Sequence, residues 1–190
     1  MRGSLIIILL TFCQALTAGQ VNYSSIDHQS GVYTVNFDIE VNATMDTVRS
    51  IITDYENLHQ LSDILSESTI LNPRDSGPKQ RLVVISVCLM IYCKDVKLVE
   101  NIDEVNRDLV ISRTVPRQSD FKSGEIRWRI TPADSNRTRI EFLGQEEPAF
   151  WLPPVIGPVM VKHLLHDVAL EVISNIESLS ENGRFHPSDS

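Results

Sequence analysis

Long stretches of alternating apolar and polar residues, followed by one long amphipathic helix, constrain this chain more than any other feature. Between residues 66 and 147 the pattern has a period of two and is interrupted by turn signals, which predicts six strands. They cover about residues 67–72, 80–88, 93–104, 108–116, 123–131 and 137–146. A helix is then predicted with Pro158 in its first turn and an apolar stripe from Leu164 to Leu179, and Asn182-Gly183 supplies a stop signal. Such a chain favours an antiparallel sheet packed against its terminal helix.

A further strand and two short helices are predicted before this region. Tyr33–Val41 alternates strictly between apolar and polar residues, which is typical of a strand with one buried face. Asn42 and Thr44 then offer caps for a short helix, and residues 54–65 predict a second one. The polar stretch before Gly31 gives no strand signal. The expected fold class is therefore α+β, with a sheet of about seven strands.

Cys88 and Cys93 flank a predicted hairpin loop. With Leu89–Tyr92 as the loop, the two cysteines are directly opposed, and Val83 faces Leu98. In an oxidising compartment this arrangement predicts a disulfide across the hairpin tip.

The register of the last hairpin can also be predicted. With Pro132–Asn136 as the loop, Trp128 faces Ile140 on the inward face. The same register places Arg127 opposite Glu141 on the outward face, a favourable cross-strand pair. Both faces are consistent with one register.

Residues 1–19 have the order of a secretory signal peptide. Arg2 precedes the apolar run Leu5–Phe12, and small or polar residues follow. This run is well short of the roughly 20 residues that a membrane-spanning helix needs. We expect cleavage near Ala18 or Gly19 and a periplasmic or secreted protein.

Charge and glycine spacing exclude several classes of protein. The net charge of −8 makes nucleic acid a poor partner, because phosphate neutralisation supplies most of the affinity of such complexes. The glycines are too far apart for a phosphate-binding loop, and common hydrolase, metalloprotease and calcium-binding motifs are absent. We therefore expect no cofactor.

With no internal repeat and no linker, one domain is expected over residues 31–182, followed by a disordered tail over 183–190.

The order of elements and several local motifs resemble a known superfamily. The motifs are Tyr33–Val41 leading into Asn42-Ala43, Thr53–Leu58, Ser119–Phe121, Gly124 with Trp128, Pro148–Pro154 and Gly157-Pro158. Together they resemble the START-like helix-grip superfamily, in particular its polyketide cyclase/dehydrase and coenzyme-Q-binding branch, over residues 31–180. The resemblance implies a curved sheet wrapped round the terminal helix, with an apolar cavity for lipids, quinones or polyketides between them. It implies no shared catalytic site.

Apolar residues on the terminal helix and on one set of loops are candidates for the cavity or its entrance. They are Met90, Tyr92, Phe121, Trp128, Phe150, Trp151, Leu165 and Val172. In an antiparallel meander the loops near residues 90, 118 and 150 lie at the same end of the sheet. Their apolar residues form either a ligand portal or a plug, Trp128 either lines the cavity or fills the core, and the helix supplies one wall.

Three histidines are candidates for other chemistry. His59 beside Asp63 is a candidate acid/base, and His163 with His166 is a candidate metal site; for each, a solvated helix surface is the alternative. The leading hypothesis is an exported carrier of a hydrophobic molecule that makes transient contact with a membrane surface or a donor protein. The alternatives are a cyclase or dehydratase acting in the same cavity and a module that binds a protein through its apolar loops.

Overall fold

A computed structural model describes residues 19–72, 77–89, 92–150 and 157–182. In this part of the chain, eight strands form one antiparallel sheet in the order β1-β2-β8-β7-β6-β5-β4-β3. The strands are β1 (Gln20–Gln29), β2 (Val32–Val41), β3 (Leu65–Ile70), β4 (Lys79–Leu89), β5 (Tyr92–Asn106), β6 (Leu109–Thr114), β7 (Phe121–Pro132) and β8 (Thr138–Pro148). The α-helices are α1 (Met45–Thr53) and α2 (Gly157–Glu181). The α+β helix-grip architecture predicted from the sequence is confirmed.

Strand β1 is the element that the sequence pattern does not reveal, and it raises the predicted count of about seven strands to eight. It forms a hairpin with β2 through Ser30 and Gly31, whose φ angles of 53° and 86° suit a tight hairpin turn. A bulge between Val21 and Tyr23 interrupts the alternation along β1. A polar strand with a broken period gives no periodic signal.

The segment between β2 and β3 is less helical than predicted. Helix α1 begins after Thr44, whose side chain accepts a hydrogen bond from the Thr47 N–H at 3.4 Å. The second predicted helix, over residues 54–65, contains only the 3-10 turn Leu58–Gln60. The Asn57 amide instead donates to the Asp54 carboxylate at 2.9 Å, a local bond that competes with helix formation.

The two predicted hairpin registers have different outcomes. In the β4–β5 hairpin, Val83 is opposite Leu98, as predicted. In the β7–β8 hairpin, Trp128 is opposite Phe142 and Arg129 is opposite Glu141, so the predicted partners are wrong by two residues. The loop closes later than Pro132, because the Ala133 N–H donates to the Arg137 carbonyl at 2.9 Å. A shift of two residues leaves every side chain on its predicted face.

The core lies between the sheet, α1 and the second half of α2. Ala169, Ile173 and Ile176 on α2 are buried in one cluster with Val48 on α1 and Ile140 on β8. This packing fixes α2 across the concave face of the sheet. Among the described helices, none combines the length and apolarity that a membrane crossing requires.

Candidate functional site

A cavity of about 250 Å³ lies between the concave face of the sheet, the α1–β3 connection and α2. Its wall is mainly apolar and includes Phe37, Leu58, Val83, Trp128, Phe142 and Val172. An apolar cavity of about 150 Å³ already accepts benzene in another protein, so this space is large enough for a small apolar molecule or part of a longer one.

A buried polar cluster of Arg81, Glu100 and Ser112 interrupts the apolar wall. An Arg81 Nη2 hydrogen donates to Glu100 Oε2 at 2.5 Å, and the Ser112 hydroxyl donates to the other carboxylate oxygen. The exposed fractions are 6% for Arg81, 0% for Glu100 and 2% for Ser112, so water does not screen the pair. Charged residues are almost never buried this deeply unless they are paired.

Strand alternation explains how this cluster comes to face inward. Glu100 occupies the same phase of β5 as Leu98 and Ile102, and Arg81 is its direct cross-strand partner on β4. A charged residue at an inward position of an otherwise apolar face is a signal that sequence reading could have used. The predicted site residues include none on β5 beyond the hairpin tip, so the cluster itself is visible only in the structure.

Arg81 retains hydrogen-bonding capacity. Its Nε is buried and has no hydrogen-bond partner among the described residues. Its guanidinium carbon lies 5.4 Å from the centre of the Tyr55 ring, a cation–π contact that holds the group in place. Burial raises the pKa of the Tyr55 hydroxyl above its ordinary value, and the nearby Glu104 carboxylate adds to the shift, so Tyr55 stays neutral.

Glu146 is a second carboxyl group on the inward phase of its strand. Thr114 donates a hydrogen bond shared between its two oxygens, at 3.1 and 2.9 Å, and the carboxyl group occupies the space that a side chain at Gly124 would fill. Burial raises the pKa of Glu146 to about 8; the Thr114 hydrogen bond opposes this shift, and the Glu100 charge adds to it. Glu146 therefore retains a proton at neutral pH.

Helix α2 holds the α1–β3 connection over the cavity. Glu171 accepts hydrogen bonds from the Ser62 hydroxyl at 2.5 Å and from the Asp63 N–H at 2.7 Å. The Asn175 side chain donates to the Leu61 carbonyl at 3.2 Å. Because Leu61 and Ser62 line the cavity, these bonds fix part of its wall.

Among the residues predicted for the cavity or its entrance, Trp128 and Val172 line the cavity. Phe121 lies in a second apolar cluster with Val96 and Leu98, and it contacts Phe150 edge to face with ring centres 6.1 Å apart.

The remaining candidates near the entrance are only partly covered by the structure. Met90 and Trp151 lie outside the described residues. Tyr92 lies on β5 and Leu165 on α2, where the backbone is described but these side chains are not. Lys94 lies 3.9 Å above the Phe150 ring, so this end of the sheet carries a cation beside its aromatic side chains.

The two histidine candidates whose side chains are described, His59 and His166, are not among the residues that line the cavity. His59 is exposed on the 3-10 turn, and His166 is exposed on α2; the side chain of His163 lies outside the described residues. The described residues contain no group of three metal-ligating side chains.

Cys88 and Cys93 form the predicted disulfide, which is thereby confirmed. They are direct cross-strand partners at the end of the β4–β5 hairpin. The bond fixes this tip at the end of the sheet where β7 begins and β8 ends.

Comparison with known proteins supports the same architecture. The START superfamily protein from Mycobacterium smegmatis is 21% identical with a TM-score of 0.59, covering 78% of this chain and 97% of that chain. The ZhuI aromatase/cyclase from a Streptomyces species is 14% identical with a TM-score of 0.59, covering 84% of this chain and 99% of that chain. A STAR-related lipid transfer protein from Xanthomonas axonopodis is 14% identical with a TM-score of 0.56, covering 80% and 98%. At these identities the likeness shows the fold alone.

The sequence itself matches a family model. A search of curated proteins finds no match. The model for polyketide cyclase / dehydrase and lipid transport proteins matches residues 33–181, which is most of the chain and includes every described residue of the cavity wall. The chain therefore belongs to the polyketide cyclase/dehydrase and lipid transport family, within the START-like helix-grip superfamily.

Proposed function

We propose that this protein is an exported carrier that holds one hydrophobic molecule in the cavity between its sheet and α2. The observation that carries the proposal is an apolar cavity whose described wall contains the buried ion pair of Arg81 and Glu100. The family includes lipid transport, and the neighbour from Xanthomonas axonopodis is a STAR-related lipid transfer protein. The signal-like residues 1–19 and the disulfide fit an oxidising compartment.

The cavity chemistry suggests an amphipathic ligand. Apolar side chains supply most of the contact, and the unpartnered Arg81 Nε–H is available to a ligand oxygen that accepts a hydrogen bond. An alcohol, ketone or ester meets this description. A free carboxylate fits less well, because Glu100 already neutralises Arg81 and a second buried negative charge would lack a partner.

A pair of helix variants tests whether the cavity is the binding site. Ala169→Phe places a ring in the cavity wall, whereas Leu170→Phe adds one at a neighbouring position of α2 that is 47% exposed. We expect Ala169→Phe to weaken binding of a fluorescent fatty alcohol at least tenfold and Leu170→Phe to leave it unchanged. Equal binding by both variants, each with wild-type circular dichroism, would place the ligand elsewhere.

Matched ligands test the polar anchor. A ketone and the hydrocarbon of the same length differ only in their ability to accept a hydrogen bond from Arg81. Hydrogen bonds to charged groups contribute about 1.5–3 kcal/mol, so the wild-type protein should prefer the ketone by about tenfold or more. The double variant Arg81→Met/Glu100→Leu should lose this preference, because the ketone oxygen would then be buried without a donor. A preference that persists in this variant would exclude Arg81 as the anchor.

Enzymatic dehydration or cyclisation of a polyketide-like substrate is the second candidate function. Glu146 favours it, because it lies on the inward face of β8 and a carboxyl group with a pKa raised to about 8 can donate a proton at neutral pH, but it is not among the residues that line the cavity. One structural neighbour is an aromatase/cyclase. Incubation with a β-hydroxy ketone, followed by mass spectrometry, separates the candidates: loss of water that Glu146→Gln abolishes supports the enzyme, and unchanged substrate supports the carrier.

A further inference from the structure

Glu177, near the end of α2, is a half-buried carboxylate that joins three elements. Its Oε1 accepts the N–H of Gly19 at 2.9 Å, just before β1, and the N–H of Asn42 at 2.8 Å, just after β2. Among the described residues, no lysine, arginine or histidine forms a salt bridge with it. Two neutral backbone donors thus satisfy an oxygen of Glu177, and the described part of the chain supplies it with no counter-charge.

Gly19 is enclosed so closely that a side chain does not fit. A Cβ at this position would lie 2.5 Å from the Glu40 carbonyl oxygen, 2.6 Å from Ile173 Cγ2 and 2.7 Å from Glu177 Oε1. The first of these atoms is backbone and the second belongs to a buried core side chain, so neither gives way easily. The position requires glycine, and its nitrogen faces the carboxylate.

The sequence just before Gly19 matches the end of a signal peptide. Thr17, Ala18 and Gly19 lie beyond the apolar run Leu5–Phe12 and supply the small residues of a signal-peptidase site, while Leu16 departs from the small residue preferred two positions before Ala18. Cleavage after Ala18 keeps the enclosed glycine in the mature protein, whereas cleavage after Gly19 removes it.

We propose that signal-peptide cleavage occurs between Ala18 and Gly19, and that the new Gly19 α-ammonium group forms an ion pair with Glu177. Water hydrolyses the Ala18–Gly19 peptide bond. The oxygen of the water becomes part of the new Ala18 carboxylate, and the Gly19 nitrogen is released as an amine and protonated. A charged donor replaces a neutral one at the same oxygen. Charge-assisted hydrogen bonds are roughly twice as strong as neutral ones, so processing strengthens the link between β1 and α2.

Intact mass tests the cleavage site. The full chain would be expressed in a secreting host, and the exported protein would be weighed without reduction. We expect the mass of residues 19–190 with Cys88 and Cys93 oxidised. A mass that corresponds to a chain beginning at Gln20, at any other residue or at the uncleaved Met1 would overturn the proposal.

Glu177→Gln tests the ion pair, because glutamine still accepts both N–H groups but carries no charge. We expect it to lower the melting temperature by about 2–4 °C in protein that begins at Gly19, and by less than half as much in protein that retains Ala18, where the charge lies one residue away. Glu181→Gln, at an exposed position of the same helix, is the control and should have no effect in either form. Equal losses for Glu177→Gln in both forms would show that no ion pair exists.

Discussion

Glu100 is a completely buried carboxylate, and its negative charge is stabilised by two neighbours, Arg81 and Ser112. Removing one partner of a buried ion pair leaves an uncompensated charge in a medium that solvates it poorly, which costs about 3–5 kcal/mol. Replacing both partners with apolar side chains of similar volume removes the desolvation penalty together with the attraction. The pair therefore contributes little net stability, which is consistent with a role in ligand recognition.

Single and double substitutions of this pair should behave differently. We expect Arg81→Met to lower the free energy of unfolding by about 3–5 kcal/mol, because Glu100 is left without its cation. Arg81→Met/Glu100→Leu should recover to within about 1 kcal/mol of wild type. Urea denaturation of the three proteins measures this difference. Additive losses in the double variant would contradict the account.

Glu146 should make stability depend on pH. Burial raises its pKa from 4.5 to about 8 in the folded protein, so between these values the folded state binds a proton that the unfolded chain has released. The contribution of Glu146 is therefore most favourable below about pH 4.5 and is lost as the pH rises to about 8. Solvent near this partly exposed group reduces the effect.

Glu146→Gln removes this titration while keeping a similar shape. At pH 8 the variant should melt about 2–4 °C above wild type, and at pH 4.5 the two should melt together. Glu141→Gln, on the outward face of the same strand, is the control. Parallel pH profiles for wild type and Glu146→Gln would show that Glu146 does not carry the proton.

At the scale of elements, α2 both forms part of the cavity wall and holds the α1–β3 connection in place. Its Glu171 accepts hydrogen bonds from Ser62 and Asp63, and these bonds hold the α1–β3 connection against the cavity. Glu171→Ala leaves both donors without this partner, and we expect a loss of about 1–3 kcal/mol together with faster hydrogen exchange over residues 58–64. Asp167→Ala, at an exposed position of the same helix, should change neither quantity. Unchanged exchange in Glu171→Ala would show that the connection is held by other contacts.

The disulfide is a local constraint on one hairpin. The cysteines are five residues apart in sequence, so the closed loop is small and the chain-entropy gain is at most about 2 kcal/mol. Cys88→Ser/Cys93→Ser should therefore still fold, with an unfolding free energy lower by no more than this amount. Intact mass after alkylation checks the bond itself: two labelled thiols in the exported wild-type protein would contradict it.

Periodic elements could be predicted from the sequence, and irregular ones could not. Tyr33–Val41 and the β4–β5 hairpin were predicted correctly because one face is buried, which fixes the register. Strand β1 was missed because its bulge breaks the period, and the β7–β8 partners were wrong by two residues because loop closure depends on a bond between Ala133 and Arg137. The alternation of β4 and β5 places the charged residues Arg81 and Glu100 at inward positions, which the sequence could have indicated. The contact between Ser112 and Glu100 is visible only in the folded sheet.

At the scale of the whole molecule, the fold explains how an acidic chain forms an apolar cavity. The sheet supplies a concave face, α2 crosses it, and the α1–β3 connection covers one side. Packing of this kind leaves about 250 Å³ unfilled. Unfilled apolar volume lowers stability, so a protein that maintains such a space gains stability when a ligand occupies it.

Native mass spectrometry of the exported protein tests the central claim most directly. We expect the wild-type protein and Leu170→Phe to carry one additional neutral or weakly polar molecule per chain, and Ala169→Phe to carry none. The released molecule should have an apolar body and at least one oxygen that accepts a hydrogen bond, and its mass should not change on further incubation with the protein. A wild-type protein that carries no molecule and binds none of a panel of long-chain alcohols, ketones and esters would contradict the account, as would equal loading of Ala169→Phe.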